Sequence, residues 1–68
     1  MEDATLVEAA AGTHYGILVG GEAKFEVRYD EDFRKWAILD PVAEEIVGYH
    51  WHRWEAIGQA FDLIVMGH

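Results

Sequence analysis

The sequence predicts an α+β fold: a four-stranded antiparallel β-meander followed by one C-terminal α-helix packed on one face. Three observations carry this. Lys24 to Tyr29 alternates strictly, with Phe25, Val27 and Tyr29 on one side and charged residues on the other, the pattern of a half-buried strand. Turn-forming residues recur at short intervals, at Gly20-Gly21, Asp30-Glu31-Asp32 and Asp40-Pro41. From Trp54 onward the apolar period changes from two to the three-and-four spacing of a helix, through Ile57, Phe61 and Ile64.

Taken in order, residues 1–11 admit two readings. Asp3 could cap a short helix through Leu6, Val7 and Ala10 that Gly12 ends, and the alanine-rich run favours it. The alternative is an edge strand from Thr5 to Ala9. His14 to Val19 places Tyr15, Ile17 and Val19 on one face, and Gly20-Gly21 turns the chain because glycine accepts positive φ. Lys24–Tyr29 completes that hairpin. A third strand runs from Arg34 to Leu39, closed by Asp40-Pro41, since proline lacks an N–H and restricts the residue before it. A fourth runs from Glu45 to Trp51. The helix is placed at Arg53 to Met66, poorly capped by His52 and stopped near Gly67. Residues 1–68 are read as a single domain.

Composition narrows the function classes. Thirteen carboxylates face five Lys and Arg in 68 residues, a formal net charge of −8. Nucleic-acid affinity comes largely from neutralising phosphates, so direct DNA or RNA binding is not expected, and an anionic membrane would repel the chain. The attractive partner is another protein with a basic, nucleic-acid-binding surface. A solubilising role is the simpler explanation of the same acidity. No signal segment or long apolar run is present, so the chain reads as cytoplasmic. There is no cysteine to form a disulfide. A core of this size yields only about 3–5 kcal/mol unaided.

No catalytic apparatus is predicted. Ser, Cys and Asn are absent, which removes the usual nucleophiles and amide oxyanion donors, and Gly20-Gly21 lacks the context of a phosphate loop. No cofactor is expected. His50 and His52 would share a strand face about 7 Å apart, and with His14 they are the candidate metal ligands, but no spacing supplies a fourth. The stretch from Tyr49 to Trp54 reads more simply as a strand-to-helix junction. There Val47, Tyr49 and Trp51 would share one face and Ile46, Gly48 and His50 the other. One helix covers one face of a sheet, so aromatic surface is expected to remain open unless the N-terminal segment folds over it.

The candidate partner-binding residues are therefore Asp30, Glu31, Asp32, Glu44 and Glu45, with Tyr49 and Trp51 as aromatic anchors. Spaced acids on a rigid sheet can imitate phosphates and engage Arg and Lys in a nucleic-acid-binding groove. The three-strand-plus-helix tail loosely resembles small integrase-arm and phage accessory domains; it lacks their usual basic face, so DNA binding is not carried over. The function expected is a small protein-binding inhibitor or adaptor of the phage, anti-CRISPR-like kind. The alternatives are a homodimeric assembly subunit and a histidine-based metal-binding domain.

Overall fold

The structure, a computed structural model, describes residues 3–67. It is α+β, with an antiparallel sheet and one C-terminal helix, and the sheet has five strands rather than four. These are β1 (Ala4–Ala9), β2 (His14–Val19), β3 (Glu22–Asp30), β4 (Lys35–Asp40) and β5 (Glu45–His50), followed by α1 (Arg53–Val65). Each strand pairs antiparallel with its neighbours in the chain, in the order β1-β2-β3-β4-β5. β1 and β5 are therefore the two edges.

The additional strand corrects the expectation of a short N-terminal helix. Ala4 lies opposite Val19 and Leu6 opposite Ile17, and both pack against the core. A six-residue ladder with two core contacts outweighs the modest helix preference of alanine. The turn that makes the pairing possible is Ala10–Thr13. Ala11 and Gly12 sit at φ 54° and 85°, and the Thr13 N–H and hydroxyl both donate to the Ala10 carbonyl, at 3.1 and 2.7 Å. That is a type I′ turn, whose twist suits a hairpin. Gly20-Gly21, with φ 61° and 83°, makes the β2–β3 turn as the sequence predicts.

Alanine in the left-handed region is strained by about 1–2 kcal/mol. Ala11→Gly is therefore expected to stabilise the fold by about 0.5–1 kcal/mol, after allowing for glycine's greater entropy when unfolded. Ala9→Gly, at an extended φ of −143°, should do the opposite. Urea unfolding of the two variants checks the signs.

The β3–β4 and β4–β5 connections follow one design. The Asp30 carboxylate accepts from the N–H groups of Asp32 and Phe33 at 2.9 and 3.2 Å, and Asp40 accepts from those of Val42 and Ala43 at 3.0 and 3.1 Å. Each loop then ends on a left-handed residue, Arg34 or Glu44, both at φ 56°. That conformation explains why β4 begins at Lys35 and not at Arg34.

Pairing sorts the side chains into two faces. Tyr15, Ile17, Phe25, Val27 and Ile38 meet Ala56, Ile57 and Ala60 of α1 in the buried core, with Trp36, Phe61, Leu63 and Ile64 at its margin. Alanine at positions 56 and 60 lets the helix lie close to the sheet. Trp54, expected to head the buried stripe, is instead 61% exposed. Its ring is tilted against Tyr15 at 6.3 Å, with the Arg53 guanidinium 4.9 Å from its centre. His52 gives α1 no side-chain cap. The helix closes as Met66 N–H reaches the Asp62 carbonyl and Gly67 N–H, at φ 81°, reaches that of Ile64.

Two irregularities alter the faces read from sequence. The register slips between Ile38 and Leu39, which pair with Gly48 and Ile46 and leave Val47 without an opposite partner. Gly48 thus joins Ile38 on the helix side, while Ile46 and Tyr49 turn to the open side. The simple alternation expected for residues 46–51 is broken by this bulge, and the strand ends at His50 rather than Trp51. A similar slip leaves Lys24 unpaired in β3. The N-terminal segment, being edge strand β1, does not cover the open face. No described helix is long and apolar enough to cross a membrane.

Candidate partner-binding surface

One end of the sheet concentrates exposed aromatic and acidic groups. The Asp30 turn lifts Phe33 outward, where it is 61% exposed and meets Tyr49 of β5 edge-to-face at 5.4 Å. Trp51, just past the end of β5, is 67% exposed, and Lys35 Nζ stands 4.4 Å above its ring. Glu31 and Asp32 lie exposed in the same loop. Tyr29 and Trp36 stack edge-to-face at 5.3 Å just inside this end. Phe33 and Trp51, exposed beside the half-buried Tyr49 and rimmed by charge, have the aromatic composition that contact surfaces favour.

The residues nominated from sequence divide into two places. Asp30, Glu31, Asp32, Tyr49 and Trp51 come together with Phe33 and Lys35. Glu44 and Glu45 lie at the opposite end of β4, a strand of six residues, which is roughly 20 Å away at strand spacing. There they accompany the exposed Val42 and Ile46. Asp30 differs from its neighbours because its carboxylate is occupied in holding the loop. Phe33 escaped the sequence reading: one apolar residue among four charged ones carries no periodic signal. Its only trace is that an aspartate turn places its fourth residue outward.

The open face carries a second polar feature. Arg28 Nη2 and His14 Nε2 both donate to Glu26 Oε1, at 2.8 and 2.7 Å. The Arg28 hydrogen bond holds the Glu26 carboxyl below its ordinary value of 4.5; partial burial opposes this, and His14 adds to the lowering. A lowered folded-state pKa means the carboxylate contributes stability that is present above pH 4.5 and is lost as pH falls through the lowered value. Arg28 is largely exposed, so the contribution is screened and about 1 kcal/mol or less. Glu26→Gln should be less stable than the parent at neutral pH, and the two urea midpoints should converge on acidification. A difference independent of pH would mean that the ion pair is not its source.

The histidines are not gathered into a metal site. His50 Nε2 is engaged by Gln59 Oε1 on the helix, and His52 stands past the strand end at the exposed helix entry, so the two do not share a strand face. Among the described residues no group of three or more His, Cys, Asp or Glu is placed to hold a metal ion. His68 lies outside the described residues.

No family model, curated protein or solved structure matches this chain.

Proposed function

We propose that the chain is a small protein-binding inhibitor or adaptor that occupies a basic, nucleic-acid-binding surface of another protein, in the manner of phage-encoded anti-CRISPR antagonists. The observation that supports this reading is the grouping of Phe33, Tyr49 and Trp51 beside Glu31 and Asp32. The aromatics provide rigid contact area at low entropic cost. The acids provide the charge that a phosphate-binding groove recognises. The net charge of −8 adds long-range steering towards such a groove. Glu44 and Glu45 form a second contact only for a partner broad enough to reach both ends of β4.

The experiment captures partners from host lysate on the tagged chain, elutes them with salt and competes them with nucleic acid. A nucleic-acid-binding complex that is released by salt and displaced by DNA or RNA is the expected result. Trp51→Ala and the double reversal Glu31→Lys/Asp32→Lys should each weaken its capture by about 2 kcal/mol or more, the scale of a central interface residue. If both variants retain the complex at parental affinity, the aromatic and acidic end is not the contact surface.

A further inference from the structure

A second surface, adjoining the aromatic end at Tyr49, carries its own signature. β5 is an edge strand, and its outward backbone N–H and C=O groups have no partner strand. Its side chains do little to protect that edge: Ile46 and Val47 are exposed and no Lys or Pro interrupts Glu45–His50, which leaves the bulge at Val47 as the one device against edge pairing there. Between the end of β5 and the flank of α1 lies a shallow groove of about 580 Å³, lined by His50, Trp54, Glu55, Gly58, Asp62 and Leu63 among others. Trp54 and Leu63 give it apolar walls, Glu55 and Asp62 give it negative charge, and no Lys or Arg lines it.

Gly58 singles this groove out. It sits in the middle of a 13-residue helix, where glycine is a net cost to folding. Its backbone does not need the freedom, since its φ is not positive. Nor does the packing need the missing side chain, because a Cβ built there meets nothing within 4 Å. The fold makes no use of this glycine, whereas an incoming chain crossing the helix flank would.

We propose that the β5 edge and the α1 flank form a binding site for an extended, basic segment of a partner protein. The segment adds a sixth strand antiparallel or parallel to β5, passes over Gly58, and places Lys or Arg side chains against Glu55 and Asp62. Main-chain pairing supplies affinity and the groove supplies selectivity, the general logic of strand addition. A second copy of this chain is the less suitable occupant, because it brings another net charge of −8 against the same carboxylates. The two sites meet at Tyr49, whose ring belongs to the Phe33–Trp51 end and whose backbone belongs to the β5 edge, but Glu55, Gly58 and Asp62 lie on α1 alone, so variants there test this site apart from the aromatic end.

The test uses the full chain, labelled with ¹⁵N, and a short peptide alternating lysine and valine as probe. Millimolar peptide should slow amide exchange along Glu45–His50 and shift resonances of residues 54–66. Gly58→Leu should keep the fold, with a melting temperature equal to or a few degrees above the parent, yet weaken the peptide on the order of tenfold by filling its path. Glu55→Lys/Asp62→Lys should weaken it similarly and remove its salt dependence, while Trp51→Ala leaves it unchanged. The proposal is overturned by any of three results: no protection of β5, perturbation confined to the Phe33–Trp51 end, or undiminished binding by Gly58→Leu. Protection of β5 in the absence of peptide, with a dimer by light scattering, would assign the edge to a second copy and overturn it too.

Discussion

Ile38→Ala is expected to leave the chain largely unfolded at room temperature. Ile38 is 0% exposed and sits at the centre of the sheet, between Val27 on β3 and Gly48 on β5. Because Gly48 has no side chain, Ile38 alone fills the space at that point. A Cβ built on Gly48 would lie 3.8 Å from Ile38 Cδ1. Truncating a buried isoleucine costs about 2–5 kcal/mol, and a core of this size yields only about 3–5 kcal/mol in total. The loss is comparable to the whole stability. Far-UV circular dichroism should show the loss of sheet signal, and the proton spectrum should lose its dispersion. Ile38→Val removes one methylene, costs about 0.5–1.5 kcal/mol and should stay folded with a lower melting temperature. If the alanine variant instead melts within a few degrees of the parent, the helix is not seated on this residue.

The second large effect is expected from a single oxygen atom. The Tyr15 side chain is buried, and its hydroxyl accepts from Arg53 Nη1 at 3.1 Å while its contact with Glu8 Oε1 is long, at 3.5 Å. Arg53 Nε is also buried and has no hydrogen-bond partner among the described residues. The guanidinium, packed between the Tyr15 and Trp54 rings, therefore depends on that hydroxyl. Tyr15→Phe keeps the ring and strands a second donor of a cation, which costs about 1–3 kcal/mol. Glu8→Ala, which removes only the long contact, should change stability by a few tenths of a kcal/mol. Arg53→Met offers a complementary test. Arg53 is half-buried with a buried, under-paired Nε, and replacing such a charge by a flexible apolar chain is often neutral or stabilising, so this variant should melt no lower than the parent. Combined with Tyr15→Phe, it should recover much of that variant's loss, because the orphaned donor is gone.

The strands β2 to β4 and the helix are legible because their core faces repeat locally: Tyr15-Ile17, Phe25-Val27, Trp36-Ile38 and the run from Ile57 to Ile64 need no knowledge of the rest of the chain, whereas β5 is legible by residue type alone. β1 is harder, since Ala4 and Leu6 acquire meaning only opposite Val19 and Ile17, and that pairing depends on Ala11 accepting a conformation alanine disfavours. The bulge at Val47 is invisible to any periodic reading, because it is created by the register with β4. For the same reason Tyr49 could be nominated as an anchor while its sheet face could not be assigned. At the candidate surface, Glu31, Asp32, Tyr49 and Trp51 stand out by residue type. Phe33 becomes part of the group only through the Asp30 turn, and the separation of Glu44 and Glu45 from the others follows from the length of β4. The groove beside α1 is equally hidden: one glycine in a helical pattern has many meanings until its surroundings are known to be empty.

The strictly sequential order of the strands also has a kinetic consequence. Every strand lies beside the one made just before it, and the connections are only two or four residues long. Bringing such near neighbours together costs little closure entropy, and hairpins of this kind form in about 1–10 μs. The helix, joined to β5 by the two residues between His50 and Arg53, is delivered to the sheet rather than recruited from afar. A chain built in this way can zip from any of its hairpins and needs no distant encounter to begin. A thin core is thus compensated in time: unfolded molecules return quickly, before their bare strand edges find one another.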